Sequence, residues 1–600
     1  MTATRENFPP ILRNPFRIAI QPFTLIPMTI FPDKNGLDQP ITPLRFLERS
    51  ARVHPNKVGF VDGPRRITFA EMAADAQAFA HALIDDGLQK NDRVGVLAAN
   101  SYEALLAQFA IPLAGGVVVA INTRLAAKEI EYILEHSEIT TLLGEQTLID
   151  QALPTVGHLL EQVIYIADGE GNEPEIADTS AYQAENTAAA TFSQYLAGDD
   201  VVKRGKNRPN LPYSVDDEHD PIAINYTSGT TGKPKGVVYT HRGAYLNALG
   251  QVQTMHFNHY TVYLWTLPMF HCSGWCTGWA AMSTSARQVA IRAVRGPEMW
   301  RLIVEEGVTS MCGAPAVLTT LVDDDNKRRV TNLRIMTAGA PPSPTIITRC
   351  ENIGVEITHV YGLTESYGPF TVCESQPDWK DMTVRRRAVL KARQGVATVT
   401  NQDVRIVEQS DALDAPLIDV PNDGATIGEI IMTGNGVMNG YFKDPEATEH
   451  AFRGGWFHTG DLGVMHPDGY IQLLDRAKDV IVSGGENIST IEVEQAVVSY
   501  PDVSDCAVIG VPDDKWGERP RAYVVLRPEA RCQGTAEEVA EHNKNVAEVV
   551  IAHCRAHIAG YKIPRDVVVI DELPRTSTGK VRKNELRDLA WASEKTRIKG

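Results

Sequence analysis

The segment densest in chemistry is Ile222-Ala-Ile-Asn-Tyr-Thr-Ser-Gly-Thr-Thr-Gly-Lys-Pro-Lys-Gly-Val-Val-Tyr239, an apolar strand running into a loop of hydroxyls, glycines and lysines. Across Thr227, Ser228, Gly229, Thr230, Thr231 and Gly232 the glycines let the backbone fold closely about an anion. Its N–H and hydroxyl groups then donate to the anion's oxygens. Lys233 and Lys235 add positive charge. That is phosphate-binding chemistry. The spacing differs from the Gly-x4-Gly-Lys-Ser/Thr of P-loop NTPases, so that fold is not implied. The bland alternative, a flexible connection between strands, leaves the lysines at the strand end unexplained.

Further groups follow in Tyr361-Gly-Leu-Thr-Glu365, Thr459-Gly-Asp461, Asp475-Arg-Ala-Lys478, Ser483-Gly-Gly-Glu-Asn-Ile488 and Pro574-Arg-Thr-Ser-Thr-Gly-Lys580. Singly, each has an ordinary reading. Glu365 is a solvated carboxylate, His458-Thr-Gly-Asp461 a turn, and Lys580 a surface lysine. Cys272 and Cys276 beside His271 make a weak zinc cluster, because no second ligand pair of finger-like spacing follows. The 8 cysteines are scattered, as free thiols of a reducing compartment are.

The elements that must position these groups alternate between helix and strand from about Thr42. Thr68 opens a helical run with Glu71 three residues on, a capping box. Arg93–Ala98 and Gly116–Ile121 are continuously apolar and β-branched, as buried strands are. This rhythm predicts an α/β protein with layered parallel sheets. Two stretches break it. Gly169–Asn210 is polar and poor in aromatics, a surface excursion, and Gln376–Gly395 reads as a solvated helical insertion carrying Trp379 and several arginines. Past Asp475 the pattern shortens to strands at Cys506–Val511, Arg521–Leu526 and Asp566–Ile570 and a helix near Ala536–Ala559. The predicted division is an N-terminal arm over 1–41, a large domain over 42–477 and a small α+β domain over 478–600.

With 600 residues the chain exceeds the ~250–300 at which single cores stop growing. A net charge of −17 makes the surface repel phosphate backbones, which argues against nucleic acid as a partner. No run of apolar residues reaches the ~18 that a spanning helix needs. Cytoplasm is the default expectation, with a mitochondrial or peroxisomal site as the alternative, since Arg597-Ile-Lys-Gly600 matches no peroxisomal or retention tripeptide.

Taken in order, these motifs resemble those of the adenylate-forming superfamily, which holds acyl-CoA synthetases, firefly luciferase and peptide-synthetase adenylation domains. The resemblance spans roughly Thr42 to Arg587. It implies ATP, Mg²⁺ and coenzyme A as the small-molecule partners. The aromatic ring of Tyr361 and Gly362 lie at adenine, with Gly339, Ala340 and Pro341 on the adenine side. Thr364 meets the α-phosphate, Glu365 holds Mg²⁺, and Asp461 and Arg476 hold the ribose. Lys580 becomes the catalytic lysine, offsetting charge as a carboxylate attacks the α-phosphate. A mobile small domain then rotates about Lys478, and Ser483, Gly484, Gly485 and Glu486 line a pantetheine path.

Pro268-Met-Phe-His271-Cys-Ser-Gly-Trp275 and Lys391-Ala-Arg-Gln-Gly395 resemble the short- and medium-chain acyl-activating and methylmercaptopropionate-CoA ligase group. The likeness implies that His271 gates the acyl site and Trp275 floors it. Ser273 stands where relatives commonly carry Asn. The residues alone leave a structural histidine and a core tryptophan equally open. The implied reaction joins a short-to-medium-chain or aromatic acid to CoA through an acyl-adenylate, in a monomer or homodimer. The alternatives are an adenylating enzyme with another acceptor and a non-catalytic nucleotide-binding protein.

Overall fold

The computed structural model describes residues 38–166, 188–197, 208–227, 233–410, 412–476, 479–483, 486–513, 515–576 and 580–597. Two units are distinguished, Met1–Gln39 and Pro40–Gly600. The expected arm therefore lies almost wholly outside the described residues, and everything below concerns the second unit.

Two large sheets carry the chain up to about residue 400. A seven-stranded sheet runs 188–191, 162–166, 141–145, 93–97, 117–120, 221–226, 236–240, parallel except for its last strand. A nine-stranded sheet is parallel through its centre and antiparallel at both ends, where 355–363, 368–372 and 396–397 form one edge. Between them lies the helix Tyr102–Leu113, buried along all 12 residues. Its sequence is apolar but for Glu103, which Arg65 neutralises, and Gln108, as suits an enclosed helix. The helix Phe69–Asp85 packs beside it and opens on the expected capping box, Thr68 with Glu71.

Beyond this come two antiparallel arrays that alternation alone did not foretell. One is a four-stranded sheet, 401–407, 428–434, 457–465 and 471–476. The other is the small C-terminal domain, built on the hairpin Val503–Asp513 and Gly517–Leu526 with Asp566–Val569 parallel to it. The helices Thr490–Val498 and Ala536–Arg555 cover one face through Val493, Val497, Val546 and Val550. A last helix, Lys583–Arg597, covers the other through Leu586 and Ala590. The chain is thus a mixed α/β protein with a large N-terminal and a smaller C-terminal domain. Among the described residues no helix is long and apolar enough to cross a membrane.

Two expectations are corrected. Within Gly169–Asn210, Ala188–Thr191 is a parallel edge strand, and Phe192 is buried with its ring 4.8 Å from that of Phe79. That part of the stretch contributes to the core, while 169–187 and 198–207 lie outside the described residues. Gln376–Gly395 is helical over Val384–Lys391 and exposed at Pro377, Lys380, Arg385 and Arg386, as expected, but other residues of it are anchored in the domain. Trp379 is buried, Lys391 and Arg387 clamp Glu351 at 2.7 and 2.6 Å, and Arg393 pairs with Asp468 while lying 4.6 Å from the Tyr470 ring centroid. Arg387, Lys391 and Arg393 are thus drawn into ion pairs and cation–π contacts instead of facing solvent.

Candidate functional site

Strand ends build the site. In open α/β sheets the carboxyl ends of parallel strands leave a crevice where ligands bind. Here 221–226, 262–265, 333–337 and 355–363 lead into Thr227, His271, Gly339 and Thr364.

Ser228, Gly229, Thr230, Thr231 and Gly232 lie outside the described residues, but the mouth of their loop is fixed. Thr227 N donates to Lys235 O at 3.0 Å, and Lys235 N to Thr227 Oγ1 at 3.3 Å. Lys233 Nζ sits 5.0 Å from the Tyr132 ring centroid and Lys235 Nζ 4.6 Å from that of Tyr441. Two exposed ammonium groups therefore flank the loop, each held over an aromatic face.

The strand Val355–Leu363 passes into a single tight turn at Thr364–Ser366. Gly362 is required there, because a Cβ would stand 1.8 Å from Gly368 O. Tyr367 adopts φ 58°, stacks on Tyr239 at 3.9 Å, and accepts the Thr240 N–H at 2.8 Å. The Tyr239 hydroxyl donates to Thr364 O at 2.7 Å. Glu365 receives the Tyr441 hydroxyl on Oε1 at 3.0 Å, and burial raises its carboxyl above the usual range. Among the described residues no group of three His, Cys, Asp or Glu gathers to cage a metal. One carboxylate fits Mg²⁺, which prefers few protein ligands beside water and substrate phosphates.

Asp461 lies opposite Arg476 in the pairing of 457–465 with 471–476. Its Oδ2 accepts the Tyr361 hydroxyl at 2.7 Å and its Oδ1 faces Arg476 Nε at 3.4 Å. The residues before it are held firmly. Thr459 Oγ1 donates to Ile430 O at 2.7 Å, and Gly460, at φ 68°, donates its N–H to the buried Glu429 at 3.1 Å. The expected turn is thus an irregular stretch of strand. Gly339, at φ 85°, and Ala340 are exposed and Pro341 is half-buried, so this loop is open to a ligand.

The segment around His271 is strained. Cys272, Trp275 and Cys276 all have positive φ (48°, 53° and 58°), each costing about 1–3 kcal/mol in a residue other than glycine. Such strain concentrates at sites where geometry is imposed. Trp275 is buried against Gly368, whose absent Cβ would stand 2.9 Å from the indole. Cys272 Sγ lies 3.4 Å from Thr364 Oγ1. The His271 imidazole is held down to about 4, first by burial and then by the charge of Lys580. Lys580 belongs to a C-terminal hairpin closed by Thr576 N donating to Lys580 O at 2.7 Å and by the Arg575–Val581 bridge. The charge of this C-terminal lysine is thus the second influence on the His271 imidazole, after burial. Its neighbour Cys272 in turn touches Thr364.

Contacts and chain neighbours thus join Thr227, Lys235, Glu365, Thr364 and His271 in one group and Tyr361, Asp461 and Arg476 in a second, which shares the strand Val355–Leu363 with the first; Lys580 acts on His271 through its charge. Ser483 and Glu486 pair with each other at the end of the five-stranded sheet, next to Gly517. Among the described residues no hydrogen bond joins those two to the Glu365–Asp461 group. Lys478, Gly484 and Gly485, with the Ser273 side chain, lie outside the described residues. Tyr441 and Tyr239 were missed in the sequence. Neither carries a spacing signal, because their partners sit 76 and 125 positions away.

Residues 47–442 match the AMP-binding enzyme family, and residues 492–580 match the AMP-binding enzyme C-terminal domain. The chain belongs to the AMP-binding enzyme family. It is 38% identical over 561 residues to acetate–CoA ligase CCL3 of Humulus lupulus, covering 91% of this chain and 94% of that protein. It is 36% identical over 559 residues to the peroxisomal benzoate–CoA ligase of Arabidopsis thaliana, covering 92% and 93%. In fold it is similar to the anthranilate CoA ligase AuaEII crystallised with anthranoyl-AMP, with a TM-score of 0.77 at 24% identity over 93% of this chain and 98% of that one.

Proposed function

We propose that this chain is an ATP-dependent acyl-CoA synthetase. It joins a short-to-medium-chain or aromatic carboxylic acid to coenzyme A, with AMP and diphosphate as products. The observation that best supports this reading is the Cys272–Thr364 contact, which brings the His271 segment against the turn bearing Glu365, with the charge of Lys580 acting on His271.

In the first half-reaction Tyr361, Gly362 and the loop Gly339–Pro341 enclose adenine, and Asp461 with Arg476 holds the ribose. The loop Thr227–Lys235 cradles the phosphates. Thr364 and Lys580 meet the α-phosphate, where negative charge grows as the carboxylate attacks. Fixed donors and cations cost no reorganisation at that moment. Glu365, with substrate phosphates, would hold Mg²⁺, which supplies further charge neutralisation when bound. His271, kept neutral, gates the acyl site, and Trp275 floors it. In the second half-reaction the domain 478–600 turns about Lys478 against 42–477. Ser483–Glu486 then line the thiol's path, and CoA sulfur displaces AMP.

All eight cysteines are free thiols, which supports a reducing, cytoplasmic setting. The peroxisomal naming of relatives is what favours the other compartment. A monomer or homodimer is proposed. The test is diphosphate release with MgATP across acetate, butyrate, branched acids and benzoate, with and without CoA. CoA-stimulated turnover is expected. Release indifferent to CoA points to another acceptor, and silence across the panel refutes the enzyme reading.

A further inference from the structure

The helix that follows the Lys580 hairpin begins in a buried ion network that the reaction, as read above, leaves unused. Lys583 is its first residue, three past Lys580. The Lys583 side chain is 14% exposed, with Nζ 2.8 Å from Glu494 Oε1, and it donates to Thr490 Oγ1. Thr490 donates both its N–H (2.7 Å) and its hydroxyl (2.5 Å) to Asp475 Oδ2. Asp475 is 3% exposed and directly precedes Arg476 in the strand Ile471–Arg476. Glu494 also accepts the Val508 N–H at 2.8 Å. Farther along the same helix Arg587 pairs with Asp479.

Burying an ammonium costs several kcal/mol unless partners surround it, so a general surface tie is a poor account of this one. Its connectivity suggests a purpose. A continuous path runs from the Lys580 hairpin through Lys583, Thr490 and Asp475 to Arg476, which faces the carboxylate of Asp461. Asp475 and Arg476 lie before Lys478, whereas Thr490, Glu494 and Lys583 lie after it. A rotation about Lys478 breaks the Asp475–Thr490 bonds and spares the Lys583–Glu494 pair. The link therefore belongs to one arrangement of the domains.

We propose that Lys583 is a positioning residue for acyl-adenylate formation, registering the Lys580 hairpin through Thr490 and Asp475 against the strand that presents Arg476. The inference rests on the role given to Lys580 above. A lysine held an ångström from its best position loses up to ~100-fold in rate, so the effect of breaking the link is large enough to measure.

The experiment compares full-length wild type, Lys583→Met/Glu494→Gln, Lys583→Arg, Thr490→Val and Lys580→Ala in separate half-reactions. Adenylation is read by ATP–diphosphate exchange with butyrate. Thioester formation is read by single turnover from synthetic butyryl-AMP and CoA. The double variant removes the Lys583 and Glu494 charges together, so neither is left without the other, and Asp475 keeps its two bonds from Thr490. It is expected to lose about tenfold to a hundredfold in adenylation kcat, with the ATP KM and the thioester rate within about twofold of wild type. Lys583→Arg is expected to recover most of the loss. Thr490→Val, which keeps the ion pair and loses the hydroxyl bond to Asp475, is expected to fall in the same direction; it decides the matter if the double variant fails to fold by circular dichroism. Unchanged adenylation in the folded variants overturns the proposal, as does a proportional fall in both half-reactions or a raised ATP KM at constant kcat. If Lys580→Ala retains adenylation, the role of Lys580 itself has failed, whatever Lys583 does.

Discussion

Asp461→Asn tests the nucleotide site at its most constrained point. The carboxylate is 6% exposed and already serves Tyr361 on one oxygen and Arg476 on the other. An ionised carboxylate only accepts, so both oxygens suit hydroxyl donors, whereas an amide turns one of its two positions into a donor. Hydrogen bonds to a charged partner contribute about 1.5–3 kcal/mol and neutral ones about 0.5–1.5 kcal/mol. With both ribose hydroxyls on Asp461, as proposed, the change removes about 1–1.5 kcal/mol from each bond, or 2–3 kcal/mol together. At 1.36 kcal/mol per decade, kcat/KM for ATP falls about 30- to 150-fold. ATP–diphosphate exchange measures it, with 2′-deoxyATP and 3′-deoxyATP as comparison substrates. Wild type should discriminate against both analogues, and Asp461→Asn should discriminate much less, because the bond each analogue lacks is already weakened. Tyr361→Phe is the control: it removes one hydroxyl and leaves the ring, so nucleotide selectivity should persist. A variant that keeps wild-type kcat/KM, or keeps full preference for the ribose hydroxyls, refutes the assignment of Asp461.

Lys478→Pro, by stiffening the hinge, should slow thioester formation from supplied acyl-AMP more than it slows adenylation; an unaltered thioester rate rejects Lys478 as the hinge. Gly368→Ala places a methyl 2.9 Å from Trp275 at a φ of 99°, so it should displace the indole and change the benzoate-to-acetate ratio of kcat/KM several-fold. A constant ratio removes Trp275 from the pocket floor. His241 and His359 are each held near 4 by burial, against an ordinary 6.5. The unfolded chain then binds protons that the folded chain refuses, so their stability contribution is complete above pH 6.5 and is lost as pH falls toward 4. The loss is about 2 kcal/mol per histidine between pH 6.5 and 5, partly offset by the raised carboxyls of Asp475 and Glu494. Urea midpoints at pH 7.5, 6.5 and 5.0 should fall in that order, and His359→Gln should flatten the dependence. Parallel curves for wild type and variant count against this account.

How much of this was legible in the sequence depends on how far apart the cooperating residues lie. The β-branched runs and the Thr68–Glu71 cap are local signals, and the elements they mark stand within a residue or two of expectation. The motifs could be named because each is continuous in sequence: Thr227–Lys235, Tyr361–Glu365 and Pro574–Lys580 each carry their chemistry within a few neighbouring positions. What failed was inference from polarity. Gln376–Gly395 reads as a solvated insertion because sequence shows charge and hides its partner; Glu351, 36 and 40 positions from Arg387 and Lys391, is what makes those charges interior. The same blindness concealed Tyr441, Tyr239 and Lys583.

The concealed residues have a common character. Each joins a motif to a distant element: Tyr441 joins Glu365 to Lys235, Tyr239 joins Thr364 to the strand after the phosphate loop, and Lys583 joins the Lys580 hairpin to the strand bearing Arg476. A motif supplies a group of the right chemistry, but catalysis by charge stabilisation needs that group within a fraction of an ångström of its place. The precision is supplied by contacts that cross between motifs, and these have no fixed spacing to betray them. Substitutions at the joining residues should therefore divide kcat from KM, whereas substitutions at the motifs should act on the proposed substrate contacts directly.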